Sequence, residues 1–276
     1  MNLKGMKQKQ VLLISFLSLI FFSVYSQESN GLSLGFEVGS GFVTGDLNKN
    51  WNVRQYMGNY DYDYSYRNSI SSDMSISFIG IRPEISFLQN KIAVSSGLRY
   101  TRINSSLSNG STSDGAFFYL RGNGNTTNTD YYKVRKINED NDYIGIPLDI
   151  KFLPFLNEYF DLYFKLGAEI NFRFNTSTDI DFLNPDMEQF QQELIANVKF
   201  TPNHFYSSLY GAIGIRLGKK DRVKYNLELI LPTYILTANN SSLLTPRYYT
   251  GFNFTVQLPG KKSKSQNQND LSGKKL

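Results

Sequence analysis

A chain of 276 residues with no cysteine and a single histidine has no disulfide framework, no thiolate metal site and too few imidazoles for an ordinary transition-metal centre, and no cofactor is expected. The formal charge of +5 is unevenly placed: Lys4, Lys7 and Lys9 carry three units and the residues after Leu258 carry four, which leaves 27–258 near −2. Nucleic-acid binding needs a basic surface on the folded part, so nucleic acid is excluded as a partner.

Lys4, Lys7 and Lys9 are followed by a nearly unbroken apolar run over 11–25 and by Val24-Tyr25-Ser26 before Gln27. This is the layout of a secretory signal peptide over 1–26, and the run is shorter than the roughly 20 residues of a membrane-spanning helix. Residues 27–258 have the length of one barrel-sized domain. The lysine-rich stretch 259–276, padded with Ser, Gln and Asn, reads as a disordered, solvated periplasmic tail.

Within the domain, alternation of apolar and polar residues marks strands at 32–42, 79–87, 92–101, 143–152, 161–174, 208–217, 223–231 and 248–258. Each is 9 to 14 residues long. Soluble strands average about 5–6, whereas a tilted strand that crosses a membrane needs about 9–11. The connections alternate as well: 44–73, 102–142 and 177–207 are long, 88–91, 153–160 and 218–222 short, and 232–247 intermediate. Short periplasmic turns facing long extracellular loops are the rhythm of an outer-membrane barrel. An even strand number puts both chain ends on the periplasmic side. Two further spanning strands in 102–142, around Gly122-Asn123-Gly124-Asn125, would make ten.

The two faces of these strands differ in kind. One is dominated by apolar residues and carries no charge in any of the eight, with Phe36, Ile81, Leu98, Ile144, Leu148, Leu166, Ile213, Leu229 and Phe254 among its members. The other carries Glu37, Arg82, Glu84, Arg99, Asp149, Lys151, Lys165, Glu169, Arg173, Arg216, Lys224 and Glu228, interleaved with glycines such as Gly39, Gly80, Gly145, Gly167 and Gly214. Glycine gains nothing on a solvent-facing strand, but inside a narrow barrel it makes room for a long side chain opposite. The expectation is therefore lipid outside and a structural charge network within. Phe42, Tyr100, Phe174 and Tyr234 would form an outer aromatic girdle, and Phe87, Phe152, Tyr159 and Phe160 an inner one.

In the loops, YMGNYDYDYSYR (56–67) presents Tyr60, Tyr62, Tyr64 and Tyr66 as contact residues, and Asn184-Pro185 before DMEQFQQELIANV opens a short helix with a cap and a Pro at its first position. His204, with Ser207 and Ser208 close in sequence, is the one place where hydrolase chemistry could start; the reading favoured is that the chain is not an enzyme.

The strand YIGIPLDIKF (143–152), through Tyr143, Ile146, Pro147, Leu148 and Lys151, resembles the PorT-like outer-membrane β-barrel family of Gram-negative bacteria, and LYFKLGAEINFRF (162–174) has the same look. The chain departs from it in the eighteen residues after Leu258. The resemblance implies an integral outer-membrane protein, and some members take part in protein secretion. The expectation is an all-β protein: an eight-stranded antiparallel transmembrane β-barrel, a scaffold touching outer-membrane lipid and other envelope or secretion proteins. The alternatives are a small porin-like channel and a secreted soluble barrel that binds an apolar ligand.

Overall fold

Long alternating strands separated by tight turns have one way to satisfy every backbone group without an edge, and that is to close on themselves. The computed structural model, which describes residues 31–48, 51–54, 70–109, 116–122, 130–198, 201–219, 222–236 and 240–260, is such a ring. In chain order its strands are β1 (Leu32–Leu47), β2 (Val53–Arg54), β3 (Ile70–Phe87), β4 (Ile92–Ser96), β5 (Leu98–Asn109), β6 (Phe118–Arg121), β7 (Tyr131–Leu156), β8 (Phe160–Phe182), β9 (Phe205–Leu217), β10 (Lys224–Ile235) and β11 (Leu244–Pro259). All pairings are antiparallel, and β1 closes the ring on β11 from Ser33↔Pro259 to Leu47↔Leu244. Both ends of the barrel therefore stand on one rim, called here the terminal rim; the opposite one is the loop rim. The signal peptide 1–26, the tail 259–276 beyond Gly260 and the loop tyrosines Tyr60, Tyr62, Tyr64 and Tyr66 lie outside the described residues.

Eight strands make the ring because β4 and β5 act as one. Ser96↔Leu148 and Arg99↔Gly145 keep a single register against β7, so the break at Gly97 falls opposite Pro147, which has no N–H to offer the ladder. Among the described residues the insertion 102–142 adds no further strand to the ring: β6 pairs with the far end of β7 (Phe118↔Val134 to Arg121↔Tyr131) and, on its other side, with the short β2. The β3–β4 hairpin turns through Leu88, Gln89 and Asn90, all at positive φ.

Several strands run well past the ranges the alternation marks, β7 to 26 residues and β8 to 23. Along that extension the faces exchange roles. Toward the terminal rim, Val38, Ile79, Ile81, Leu98, Ile144, Leu148, Phe164 and Leu166 point outward, Leu166 at 72 % exposure. Toward the loop rim, Met74, Ile76, Phe78, Ile103, Leu107 and Ile137 are buried inside, and Ser75, Ser77, Arg102, Asn104 and Asp140 face outward in the same strands. Over Leu32 to Phe42 the apolar exterior spans ten residue steps, about 33 Å of strand. At the usual barrel tilt that is a belt about 25 Å tall. Above the belt the wall is an ordinary water-facing barrel, with its oil inside.

Phe42, Phe174 and Tyr234 are exposed at the belt's upper edge, and Phe152, Tyr159 and Phe160 at its lower edge. Among the described residues no helix is long and apolar enough to cross a membrane. The helical part is a 3-10 turn, Pro185–Phe190, running into α1 (Gln191–Asn197); Asn184 Oδ1 accepts from Asp186 N at 3.2 Å, and Pro185 occupies the first position as its sequence dictates.

Candidate functional site

The barrel interior is filled in three layers. Nearest the terminal rim, Ala93, Leu153 and Tyr163 form a small apolar cluster. Its tyrosine lies across Gly214, where a Cβ would strike the ring.

Above it the inward phases of seven strands bring together ten ionised side chains, none more than 6 % exposed. They join in one unbroken line of alternating sign. Arg216 bonds Glu84 (2.6 Å), Glu84 bonds Lys151 (2.8 Å), and Lys151 stands 3.8 Å from Glu228. Glu228 pairs with Lys165, which lies 3.8 Å from Asp149, and Asp149 pairs with Arg82. Arg82 reaches Glu37 at 3.2 Å, Glu37 receives Arg99 at 2.9 Å, and Arg99 ends the line on Glu169 at 2.7 Å. Five cations face five anions, so the desolvated layer is neutral, as burial of charge requires.

Neutral groups complete the layer. β11 contributes no charge but supplies Asn253, which donates to Glu228 (2.9 Å), and Gln257, which donates to Glu84 (2.8 Å). The Tyr163 and Tyr210 hydroxyls donate to Glu228 and Asp149. Glycine opposite bulk recurs here: Tyr210 lies over Gly167, and the Glu37 carboxylate occupies the place of a Gly80 side chain. The cavity left among these groups, about 10 Å3, has room for about one water molecule.

The third layer is apolar and closes the loop rim. Phe78 lies over Gly39 with the Arg99 guanidinium 4.3 Å above its ring, so one side chain joins the charged layer to the oily one. Trp51, Ile103, Leu107, Phe118, Ile137, Tyr143, Tyr206, Leu243 and Leu244 pack above it, with Leu194 of α1 reaching in. Residues 240–244 fold down into the mouth and are buried throughout. Glu139 holds them: Ser242 donates to its carboxylate from both N (2.9 Å) and Oγ, and Asn141 Nδ2 donates at 2.8 Å. Trp51 Nε1 donates to Ser242 Oγ (3.0 Å), and the Tyr143 hydroxyl to Asn240 O (3.1 Å).

Ten of the twelve charged residues expected inside thus share one network. The other two stand apart. Arg173 is at the loop rim, its Nη2 3.5 Å from His204 Nδ1, and Lys224 is half-buried where β10 begins at the terminal rim. The charged layer occupies only part of the lumen: toward the loop rim the interior is apolar, and Ser77, Arg102 and Asn104 stand on the outside of the same strands. The sequence does not single out Glu139, Trp51 or Ser242; the signal it does carry is the apolar phase of Met74, Ile76 and Phe78, which lies one residue out of step with the apolar stripe of 79–87.

No family model matches the chain, and no curated protein matches it. Among solved structures it is similar to the outer membrane protein OprG from Pseudomonas aeruginosa, at 11% identity over 83% of this chain and 97% of that one, with a TM-score of 0.39. It is also similar to the translocator domain of the autotransporter NalP from Neisseria meningitidis, at 10% identity over 94% of this chain and 96% of that one, with a TM-score of 0.29.

Proposed function

We propose that the chain is an integral outer-membrane β-barrel with a sealed lumen, serving as a non-enzymatic scaffold in the cell envelope. The observation that carries this reading is the exchange of faces along the wall. An apolar exterior about 25 Å tall surrounds a neutralised charge layer, and beyond it the same strands bury oil and expose Ser77, Arg102 and Asn104. A soluble barrel for an apolar ligand needs an empty oily interior, whereas the space among the lumen charges admits about one water. That packing and the seated segment 240–244 also argue against a porin-like channel. The resemblance of 143–152 to PorT-like proteins supports a link to protein secretion, with the loops and the basic tail as contacts for envelope partners.

The test is reconstitution of the full chain into liposomes, followed by flotation and planar-bilayer recording. Co-flotation that resists carbonate with silent bilayers is the expected result. Recovery in the soluble fraction would overturn the membrane assignment, and discrete current steps would overturn the sealed lumen.

A further inference from the structure

On the wall above the belt, aromatic and cationic side chains gather on one outward face. Phe118, Leu120 and Val134 turn inward on β6 and β7, which by alternation presents Phe117, Tyr119, Tyr131 and Lys133 on the outer face. Arg54 of β2 joins them through its pairing with Tyr119. These groups form a ladder of rings and cations. Phe117 meets Tyr119 edge to face at 5.3 Å, and Tyr119 meets Tyr131 in the same way at 6.1 Å. The Arg54 guanidinium stands 5.5 Å from the Tyr131 ring and Lys133 Nζ 4.9 Å from the Phe117 ring. Arg54, Lys133 and the neighbouring Arg135 are exposed, and no described carboxylate forms a salt bridge with any of them.

We infer that this face binds an acidic glycan, a sugar chain bearing carboxylate or phosphate groups. Ring faces take the C–H side of a pyranose, tyrosine hydroxyls bond its polar edge, and a guanidinium beside a ring donates two parallel N–H bonds to a carboxylate. A purely electrostatic partner would have no use for the rings, and a neutral sugar none for the cations. Lys133 lies eleven residues beyond Ile144, the last outward aliphatic of β7, so the ladder stands about 25 Å or more above the belt. If the membrane reading holds, that is the height of the saccharide layer at the cell surface; binding itself does not depend on it.

The experiment uses the full chain folded in detergent micelles, with intactness checked by the unheated gel mobility of the barrel. Binding is measured by thermophoresis to polygalacturonate, to neutral dextran and to polyglutamate. Polygalacturonate should bind, weaken with added salt, and exceed polyglutamate by about tenfold or more, with dextran silent. Arg54→Gln with Lys133→Gln should lower the affinity about tenfold, and Tyr131→Ser about threefold at unchanged charge. Lys219→Gln, at the terminal rim, should leave it unaltered. Equal binding of polyglutamate, or no effect of Tyr131→Ser, would replace the glycan by an acidic polypeptide or by bulk charge and overturn the inference. Absence of binding by folded protein would do the same and would leave the outcome of the flotation test untouched.

Discussion

Arg99→Met tests whether the charged layer is as dry as its packing indicates. Arg99 holds Glu37 through Nε and Nη2, both at 2.9 Å, and holds Glu169 through Nη1 at 2.7 Å. Each pair is worth about 4 kcal/mol at a charge separation of about 4 Å and an effective dielectric near 20. Some of that is offset by the cost of burying the guanidinium, and losing one partner of a buried pair costs about 3–5 kcal/mol. Glu37 keeps Arg82, but Glu169 keeps no cation. Most of the loss therefore comes from Glu169, and adding Glu169→Gln should recover about 2 kcal/mol or more. Urea unfolding in vesicles, followed by the fluorescence of Trp51, the only tryptophan, measures both variants and their coupling. A loss under about 1 kcal/mol for Arg99→Met, with no recovery in the double variant, would mean that water solvates the interior and would refute the sealed lumen.

Three further outcomes follow from the same geometry. Leu148→Lys places an ammonium in the middle of the belt and should cost about 2–4 kcal/mol in vesicles, measured by the same unfolding assay; a cost near zero would contradict a lipid-facing belt. Glu139→Leu removes the acceptor of both Ser242 bonds, so it should loosen the cap by about 1–3 kcal/mol and raise acrylamide quenching of Trp51, which unchanged quenching would contradict. Asp142 sits just above the belt on the outer face, where burial raises its pKa but bonds from Arg102, Tyr100 and Asn175 outweigh that and hold it down to about 2. Its contribution is present above the ordinary carboxylate value of 3.8 and lost as pH falls toward 2, so the stability gap to Asp142→Asn should stay constant above about pH 5 and close between about pH 4 and 2.

What the sequence displays depends on which alternation is continuous. From Ile79 to Phe87 and from Ile144 to Phe152 one phase is wholly apolar, so the belt and the charges inside it can be read without coordinates. Above Ile79 the apolar phase moves to Phe78, Ile76 and Met74, and a reader following the outward stripe sees the strand stop. It continues for nine more residues toward Ile70 with its faces exchanged. The bulges between Val134 and Lys136, and between Asp142 and Tyr143, hide the phase further on β7 and β8. The cap was illegible for another reason. Trp51, Glu139 and Ser242 come from three distant stretches, and only closure of the ring brings the Trp51 indole onto Ser242. The 184–197 turn and helix were legible because Asn184 and Pro185 act on their nearest neighbours.

The ten lumen charges need a reason to exist, since a well-packed oily interior of the same volume would be as stable or more so. Register supplies one. The belt is apolar on the outside, so an interior of leucine and isoleucine would make each strand apolar on both faces and indifferent to a slip of one residue. With charge inside, a one-residue slip of β7 alone would carry Asp149 and Lys151 into the belt, at a cost of about 2–4 kcal/mol for the lysine at mid-depth. The line from Arg216 to Glu169 extends that penalty to neighbouring strands. Its nine contacts each join side chains from two different strands, so no ring strand that carries one of these charges can shift without breaking a pair held by another. Alternation has a second effect: it keeps every strand short of the roughly 20 apolar residues that would make a spanning helix. On this view the charges are selected for what they forbid during assembly. A lumen repacked with oil should then keep its stability once folded but fold to a mixture of registers, seen as several bands in the unheated gel where the native sequence should give one.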